Sequence, residues 1–510
     1  MYDSEEKGTK YYTNIFIAIC IIWFLIWSFL PFFLFEGIFC DITEYVALTN
    51  QQFFWGHDKQ PYFGMWLIKT TAWFGDLKAG YFLSQICVLI CSIAIWKLAR
   101  ACLSEALSLI SVIFFLITPT YTCFSLDFCQ NVQLQALWLL IILYFYKSLI
   151  SQKYSDWILL GLFCGLGLMT KYFTAFLFVP MALFTLFTNE GRASFSKAGI
   201  YLCAILFLVI ILPNFIWLVN NDFISFTYGI DEARLENIPP FLNHFTSPLR
   251  VIGLILINFL FSIIMLFTLL RKRDSKSYSY VPNIYKKYVI SMTLFPLILI
   301  ILFTGVEGSY IKMEWLYPTV GMFGIFAMIF WRPDITKQKV NKCLIYSGYA
   351  TFFGILVTLY AVMYYFPYKY SSMAVIPYPS PAISKDITKV WYDSYPAPVK
   401  YVIGPYRFAS MIAVCDPNHP ETIYMNWDYR NRYPLYKSAV EEEGAILIWK
   451  GSERPEWFEK LNGATITKYQ TRNYFRAVKP WFEELIKSWS GETPKTQDVS
   501  FAFIPPRNKN

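Results

Sequence analysis

Long apolar runs separated by short polar stretches occupy most of the chain. Eleven of them approach the roughly 17–25 residues that carry a helix across a bilayer. They lie at 13–35, 79–99, 103–122, 130–149, 156–170, 172–188, 198–219, 248–270, 287–305, 315–331 and 343–366. The pair around Lys171 is short and also reads as one kinked helix. The pattern predicts a mainly α, polytopic membrane protein of about eleven spans. Composition agrees. The 510 residues are 56% hydrophobic and only 15% charged, and a mean hydropathy of +0.40 is well above that of a soluble chain of this length. The first run is too long for a signal-peptide core and no small-residue cleavage site follows it, so it is expected to be retained.

Charge then orients the spans. Lys97, Arg100, Lys147, Lys153, Arg192, Lys197, the basic run 271–287 and the lysines around 337–342 fall on alternate loops, which the positive-inside rule places in the cytoplasm. Asp41, Glu44, Asp58, Asp127, Asp231, Glu232, Glu307 and Glu314 fall on the other loops. The N-terminus is therefore expected inside and the C-terminus outside. The net charge of +9 belongs to this topology, and nucleic-acid binding is not supported. The centres of the spans are almost free of ionisable residues. That argues against a proton-coupled transporter or channel and leaves a lipid or glycan flippase as the alternative to surface chemistry. A non-catalytic scaffold is a third reading.

After Phe366 prolines and charges replace the apolar runs. Strand-like VKYVIG (399–404) and GAILIWKG (444–451) alternate with helical pieces such as PWFEELIKSW (480–489), predicting an external α/β domain over 369–510. The membrane part is then 1–368, with a long external loop at 36–78. Most of the eleven cysteines lie in apolar runs without metal-ligand spacing and read as small hydrophobes. A Cys40–Cys123 or Cys123–Cys129 bridge is the alternative for the outer face.

The external loop contains CDITEYVALTNQQFFWGHDKQPYFGMW (40–66). Its first half predicts an interfacial amphipathic helix with Tyr45, Leu48 and Gln52 on one side and Asp41 at or just before its N-terminus. Lys59-Gln60-Pro61 forms a corner before a second amphipathic segment. A basic residue at a rigid corner, facing an acid, is suited to hold a phosphate opposite a general base.

These residues resemble a known family. Asp41, Glu44, Trp55, Gly56, Lys59, Pro61, Trp66 and Leu67 are similar to the first external loop of the PMT-like, GT-C-fold glycosyltransferases, which include protein mannosyltransferases and aminoarabinose-type lipid A transferases. DFCQNVQLQALW (127–138), GLFCGLGLMTKYFTAFLFVP (161–180), LPNFIWLVNNDFISF (212–226), GSYIKMEWLYP (308–318) and YVIGPYRFASMIAVCDPNHPETIY (401–424) extend the likeness in order along the chain. The chain departs from the family pattern at Pro61-Tyr62-Phe63, where Pro-Pro-Leu is usual. The usual second external carboxylate falls on Asn131 by its spacing to Trp138, with Asp127 one helical turn earlier.

The resemblance implies an inverting transfer of a sugar from a polyprenyl (undecaprenyl) phosphate carrier to lipid A or another lipid-anchored glycan. It also implies a monomer in the bacterial inner membrane with its site facing the periplasm. No Gly-rich nucleotide loop or DxD-like motif stands on the cytoplasmic side, which favours a lipid-linked donor. Asp41 is expected to be the base or acceptor-orienting group, with Glu44, Asp127 and Asn131 as further catalytic candidates. Lys59, Lys171, Lys312 and Arg234 are expected to hold the donor phosphate. Tyr62, Trp66, Trp217 and Trp315 are candidates to line the sugar or acceptor pocket. Some relatives hold a metal near the phosphate. His57 and His244 with Glu36 or Glu44 would serve here, but two histidines so far apart make no metal motif, and metal use is left open.

Overall fold

A computed structural model describes residues 2–35, 40–49, 55–71, 78–233, 240–272, 281–370, 379–425, 433–461 and 463–507. Helices α1 (Tyr2–Leu34), α2 (Cys40–Thr49), α3 (Phe63–Lys69), α4 (Ala79–Ala99), α5 (Glu105–Leu116), α6 (Gln130–Ser151), α7 (Tyr154–Thr170) and α8 (Ala175–Phe187) form the first half. They are followed by α9 (Asn189–Ser194), α10 (Ala198–Asn220), α11 (Ile224–Glu232), α12 (Pro240–Asn258), α13 (Leu260–Thr268), α14 (Asn283–Glu307), α15 (Phe323–Trp331) and α16 (Lys337–Leu359). By packing, the chain divides into one unit of 1–29, 54–64 and 81–356 and another of 30–53, 65–80 and 357–510.

Among the described residues six helices are long and apolar enough to cross a membrane, and nine if each of three bent pairs counts as one span. The protein is a multi-pass membrane protein. The bends depart from the straight spans expected at 103–122, 248–270 and 315–331. The chain turns by 83° after α5, by 56° between α12 and α13, and by 52° between the 3-10 helix Met313–Val320 and α15. Pro119 lies at the first bend, in the residues that turn away from α5. Helices α7 and α8 are separate and shorter, and they meet at Lys171, whose extended backbone ends α7.

In the first unit α7 lies against both α6 and α10. The approach to α10 is close because Gly161 faces it: a Cβ there would stand 2.5 Å from the Cys203 carbonyl oxygen. Small residues bring two backbones together in this way where no hydrophobic drive separates protein from lipid. Tyr285 and Tyr288 of α14 are fully buried, donating to the Leu98 and Ile142 carbonyls. Buried hydroxyls on an apolar helix need such partners.

The second unit holds α17 (Ser380–Ser394), α18 (Tyr406–Cys415), α19 (Tyr433–Glu443) and α20 (Pro480–Ser490). Its sheet comprises β1 (Tyr401–Gly404), β2 (Glu421–Tyr424), β3 (Ala445–Lys450), β4 (Gln470–Phe475) and β5 (Thr496–Ile504), in the order β2-β1-β3-β5-β4. Strands β1, β2 and β3 are parallel, and β5 runs antiparallel to β3 and β4. The two strand-like runs read from the sequence are β1 and β3, and PWFEELIKSW is α20. β1 and β3 read as continuous apolar stretches because both faces are covered; Ile403, Leu447 and Trp449 sit in the core. Helix α2 packs on α18, with Ala47 against Ala413 and Val414. Cys123 is a free thiol, so neither alternative bridge exists.

Candidate active site

The first unit gathers three of the four lysine and arginine candidates. Lys171 occupies the break between α7 and α8, where the peptide leaves one helix before entering the next. Its ammonium donates to Asn131 Oδ1 at 2.7 Å, near the start of α6, and stands 4.6 Å from the Trp315 ring. Burial is the main cause that pushes this ammonium down to about 7; the charges of Lys59 and Lys312 act in the same direction, against the Cys129 thiol and Glu314. Those influences place Lys59, Lys312 and Glu314 within electrostatic reach of Lys171. Three lysines thus share this region with two acids, Glu314 and the Glu232 that pairs with Lys312.

Each lysine is positioned by local structure. Lys59 sits in a tight turn closed by paired His57 and Gln60 backbone bonds of 3.0 and 3.1 Å, with Gly56 bridged to Pro61. The Lys59 N–H donates to His57 Nδ1 at 3.3 Å. The turn is seated on helices far along the chain. Asn214 Nδ2 of α10 donates to the Trp55 carbonyl at 2.8 Å, and the Ser225 hydroxyl of α11 donates to the His57 carbonyl at 2.8 Å. Gly56 lies under the Trp217 ring; a Cβ there would stand 2.2 Å from Trp217 Cε3. No side chain fits at that position without moving the indole. Tyr172, which follows Lys171, donates to Asn214 Oδ1 at 2.9 Å. One asparagine thus ties the Lys59 turn to the segment after Lys171.

Lys312 precedes the 3-10 helix that carries Trp315, and its ammonium pairs with Glu232 at the end of α11. Tyr310 N–H donates to the Ala233 carbonyl at 2.7 Å, holding the two segments side by side. Glu232 and Asn214 were not singled out from the sequence. Asn214 stands inside the quoted LPNFIW stretch, whereas Glu232 carried no signal beyond its place among the acids of the loops expected outside.

Asp127 lies just before α6, partly buried, and Tyr62 is buried after the Lys59 turn. Asp41, Glu44 and Trp66 belong to the second unit. Asp41 is in the first turn of α2, as expected, and is half-buried, whereas Glu44 is wholly buried. Arg234, Glu36 and Gln52 lie outside the described residues. His57 serves the Lys59 turn, and His244 Nδ1 is 2.9 Å from the Gly305 carbonyl. Among the described residues no three His, Cys, Asp or Glu side chains gather as a metal-binding group.

Comparison with known proteins agrees with the fold. Residues 59–217, from Lys59 to Trp217, match the family model described as dolichyl-phosphate-mannose-protein mannosyltransferase. The crystal structure of ArnT from Cupriavidus metallidurans in the apo state matches with a TM-score of 0.59 at 11% identity, covering 97% of this chain and 98% of that one. The structure of the same protein bound to undecaprenyl phosphate matches with a TM-score of 0.57 at 12% identity, covering 96% and 97%. No curated protein sequence matches. The chain therefore has the GT-C fold, and the resemblance read from its motifs stands.

Proposed function

We propose that this chain is an inverting glycosyltransferase that moves a sugar from a polyprenyl phosphate, such as undecaprenyl phosphate, to lipid A or another envelope glycolipid. The observation that carries the reading is the gathering of Lys171 with Asn131 and Trp315, within electrostatic reach of Lys59 and Lys312. A fold shared with a protein crystallised with undecaprenyl phosphate supports the choice of donor.

In this reading the acceptor oxygen attacks the anomeric carbon as the bond from that carbon to the carrier phosphate breaks. The bonding pair leaves with the phosphate, which passes from a diester to a monoester and gains charge. Lys59, Lys171 and Lys312 stabilise that gain, so they act more on the transition state than on the bound donor. Asp41 takes the acceptor proton when the acceptor is a hydroxyl, and orients it when it is an ionised phosphate. Trp315, already stacked beside Lys171, and Trp217 line the sugar. The reaction is assigned to the periplasmic face of a bacterial inner membrane, with 369–510 as the external domain.

The test is mass spectrometry of envelope lipids from cells expressing the wild-type chain or Asp41→Asn, both verified as folded and in the membrane. A sugar-sized mass increment present only with wild type is expected, naming sugar and acceptor together. Identical profiles in a host supplied with the donor pathway would reject glycosyl transfer and leave a flippase.

A further inference from the structure

Helix α20 is amphipathic in a way its own domain does not use. Trp481, Phe482, Leu485, Ile486 and Trp489 share one arc, while Glu483, Glu484, Lys487 and Ser488 occupy the opposite side. A helix covering a sheet buries such an arc, yet none of the α20 residues is buried, and Trp481 and Trp489 are 56% and 87% exposed. Its apolar side instead forms one wall of a groove of about 540 Å³, and Leu359, Tyr360, Met363 and Tyr364 form the other.

That second wall identifies the occupant. It is the end of the continuous apolar helix Lys337–Lys369, whose 33 residues exceed the ~20 that a span requires. The last turns are thus surplus to a single crossing, and tyrosines collect in them. Tyr360, Tyr364, Tyr365 and Tyr368 form a chain of rings with centroids 5.5–6.2 Å apart. Such aromatic girdles mark the headgroup level.

Both flanks of α20 are tied to the same level. On the N-terminal side, Arg476 Nη1 donates to the Phe366 and Tyr370 carbonyls at 2.6 Å each. On the C-terminal side, the Lys495 N–H donates to the Pro367 carbonyl at 3.0 Å, and its ammonium donates to the Lys369 carbonyl at 2.7 Å. Glu492 pairs with Lys369 at 2.6 Å. With both flanks fixed at the exit of the spanning helix, α20 stays at that depth.

We infer that α20 is an in-plane membrane anchor, with Trp481, Leu485 and Trp489 set among the upper acyl chains of the bilayer and a lipid tail in the groove. The C-terminal unit is then attached to the bilayer at two points, the spanning helix and α20. This inference does not depend on the transferase reading.

The test places a benzoylphenylalanine photocrosslinker at position 489 or 484 of the full-length chain, reconstituted in vesicles of phosphatidylethanolamine and phosphatidylglycerol. Irradiation followed by mass spectrometry should give a phospholipid adduct at 489 and none at 484, on the polar arc. A crosslinked second copy at 489, no adduct there, or equal lipid adducts at both sites would overturn the inference. Hydrogen exchange supplies a second readout. Amides 481–490 should be protected in vesicles and lose that protection in the Trp481→Glu/Trp489→Glu variant, while the sheet amides remain unchanged. Protection unaltered by the two charges would also reject the anchor.

Discussion

The Lys171 ammonium donates a 2.7 Å hydrogen bond to Asn131, at the position where the family resemblance leads one to expect a carboxylate. The difference is one full charge beside a buried cation. An amide orients the ammonium without neutralising it, so the lysine keeps its charge available for an anionic ligand. Asn131→Asp tests this. A carboxylate at that distance favours the charged lysine by about 1–3 pKa units and cancels much of its field. Binding of undecaprenyl phosphate at pH 6 is expected to weaken by about tenfold or more. Its pH dependence should move to higher pH by the same 1–3 units. Isothermal titration over a pH series measures both, and an unchanged profile would place the phosphate elsewhere.

The wild-type protein has its own pH signature. Lys171 is pushed down to about 7, so near neutrality, without a ligand, this lysine is only partly charged. A phosphate binds the protonated form, and binding takes up a proton. Affinity for undecaprenyl phosphate is expected to fall about tenfold per unit as pH rises above 7, until the bound-state pKa is passed. Buffers of different ionisation enthalpy should reveal the uptake calorimetrically. Stability runs the other way. Between about 7 and the ordinary 10.5 the unfolded chain holds the proton that the folded chain has released. The Lys171 contribution to stability is therefore gained as pH rises through that window and lost as pH falls. Lys171→Met should flatten this slope in thermal denaturation in detergent.

Lys312 is in a different state, because Glu232 already neutralises it. In the proposed reaction, donor phosphate would compete with that carboxylate. Both groups are about a third exposed, so the pair belongs with the weaker class worth about 0.2–1 kcal/mol. Glu232→Gln should accordingly tighten undecaprenyl phosphate binding by about two- to fivefold, and Lys312→Gln should weaken it. Equal loss from both substitutions would show that the pair is structural.

The Lys59 turn depends on a glycine for space. Gly56→Ala puts a methyl 2.2 Å from the Trp217 ring, an overpacking expected to cost about 1–3 kcal/mol and to displace either the turn or the indole. Transfer activity should fall, and Trp217→Leu should restore thermal stability to the Gly56→Ala protein by making room. The Tm of the double variant against each single variant checks the coupling.

The spans were readable because a run of apolar residues carries its own signal, whatever it packs against. The break at Lys171 was visible as one cation between two short apolar helices. The bends were less visible, since they follow from packing. Gly321, beside the bend before α15, faces Leu139 of α6, with a Cβ there only 2.8 Å from Leu139 Cδ1. The three lysines were legible as family motifs, but their convergence was not. Glu232 escaped notice because its partner lies 80 residues away. The largest gap concerns Asp41. Nothing in the sequence around Asp41 announces that its helix packs on α18, since that contact joins alanines hundreds of residues apart, and alanines carry little pattern of their own.

With Asp41 in its proposed role, that last contact gives the C-terminal unit a testable part in the chemistry. Ala47 and Ala413 are both wholly buried where α2 meets α18, and α2 presents Asp41 in its first turn. A larger side chain at this seam shifts α2 along its length, because the helix is rigid over its ten residues. Positioned proton transfer is worth about 10²–10⁴ in rate and is sensitive to small displacements. Ala413→Leu is therefore expected to lower kcat by about tenfold or more while leaving undecaprenyl phosphate binding within about twofold, because the lysines proposed to hold the phosphate belong to the other unit. Ala413→Ser, which adds one atom, should retain most of the activity. Parallel measurement of kcat and of donor affinity separates displacement of Asp41 from general unfolding, since unfolding lowers both.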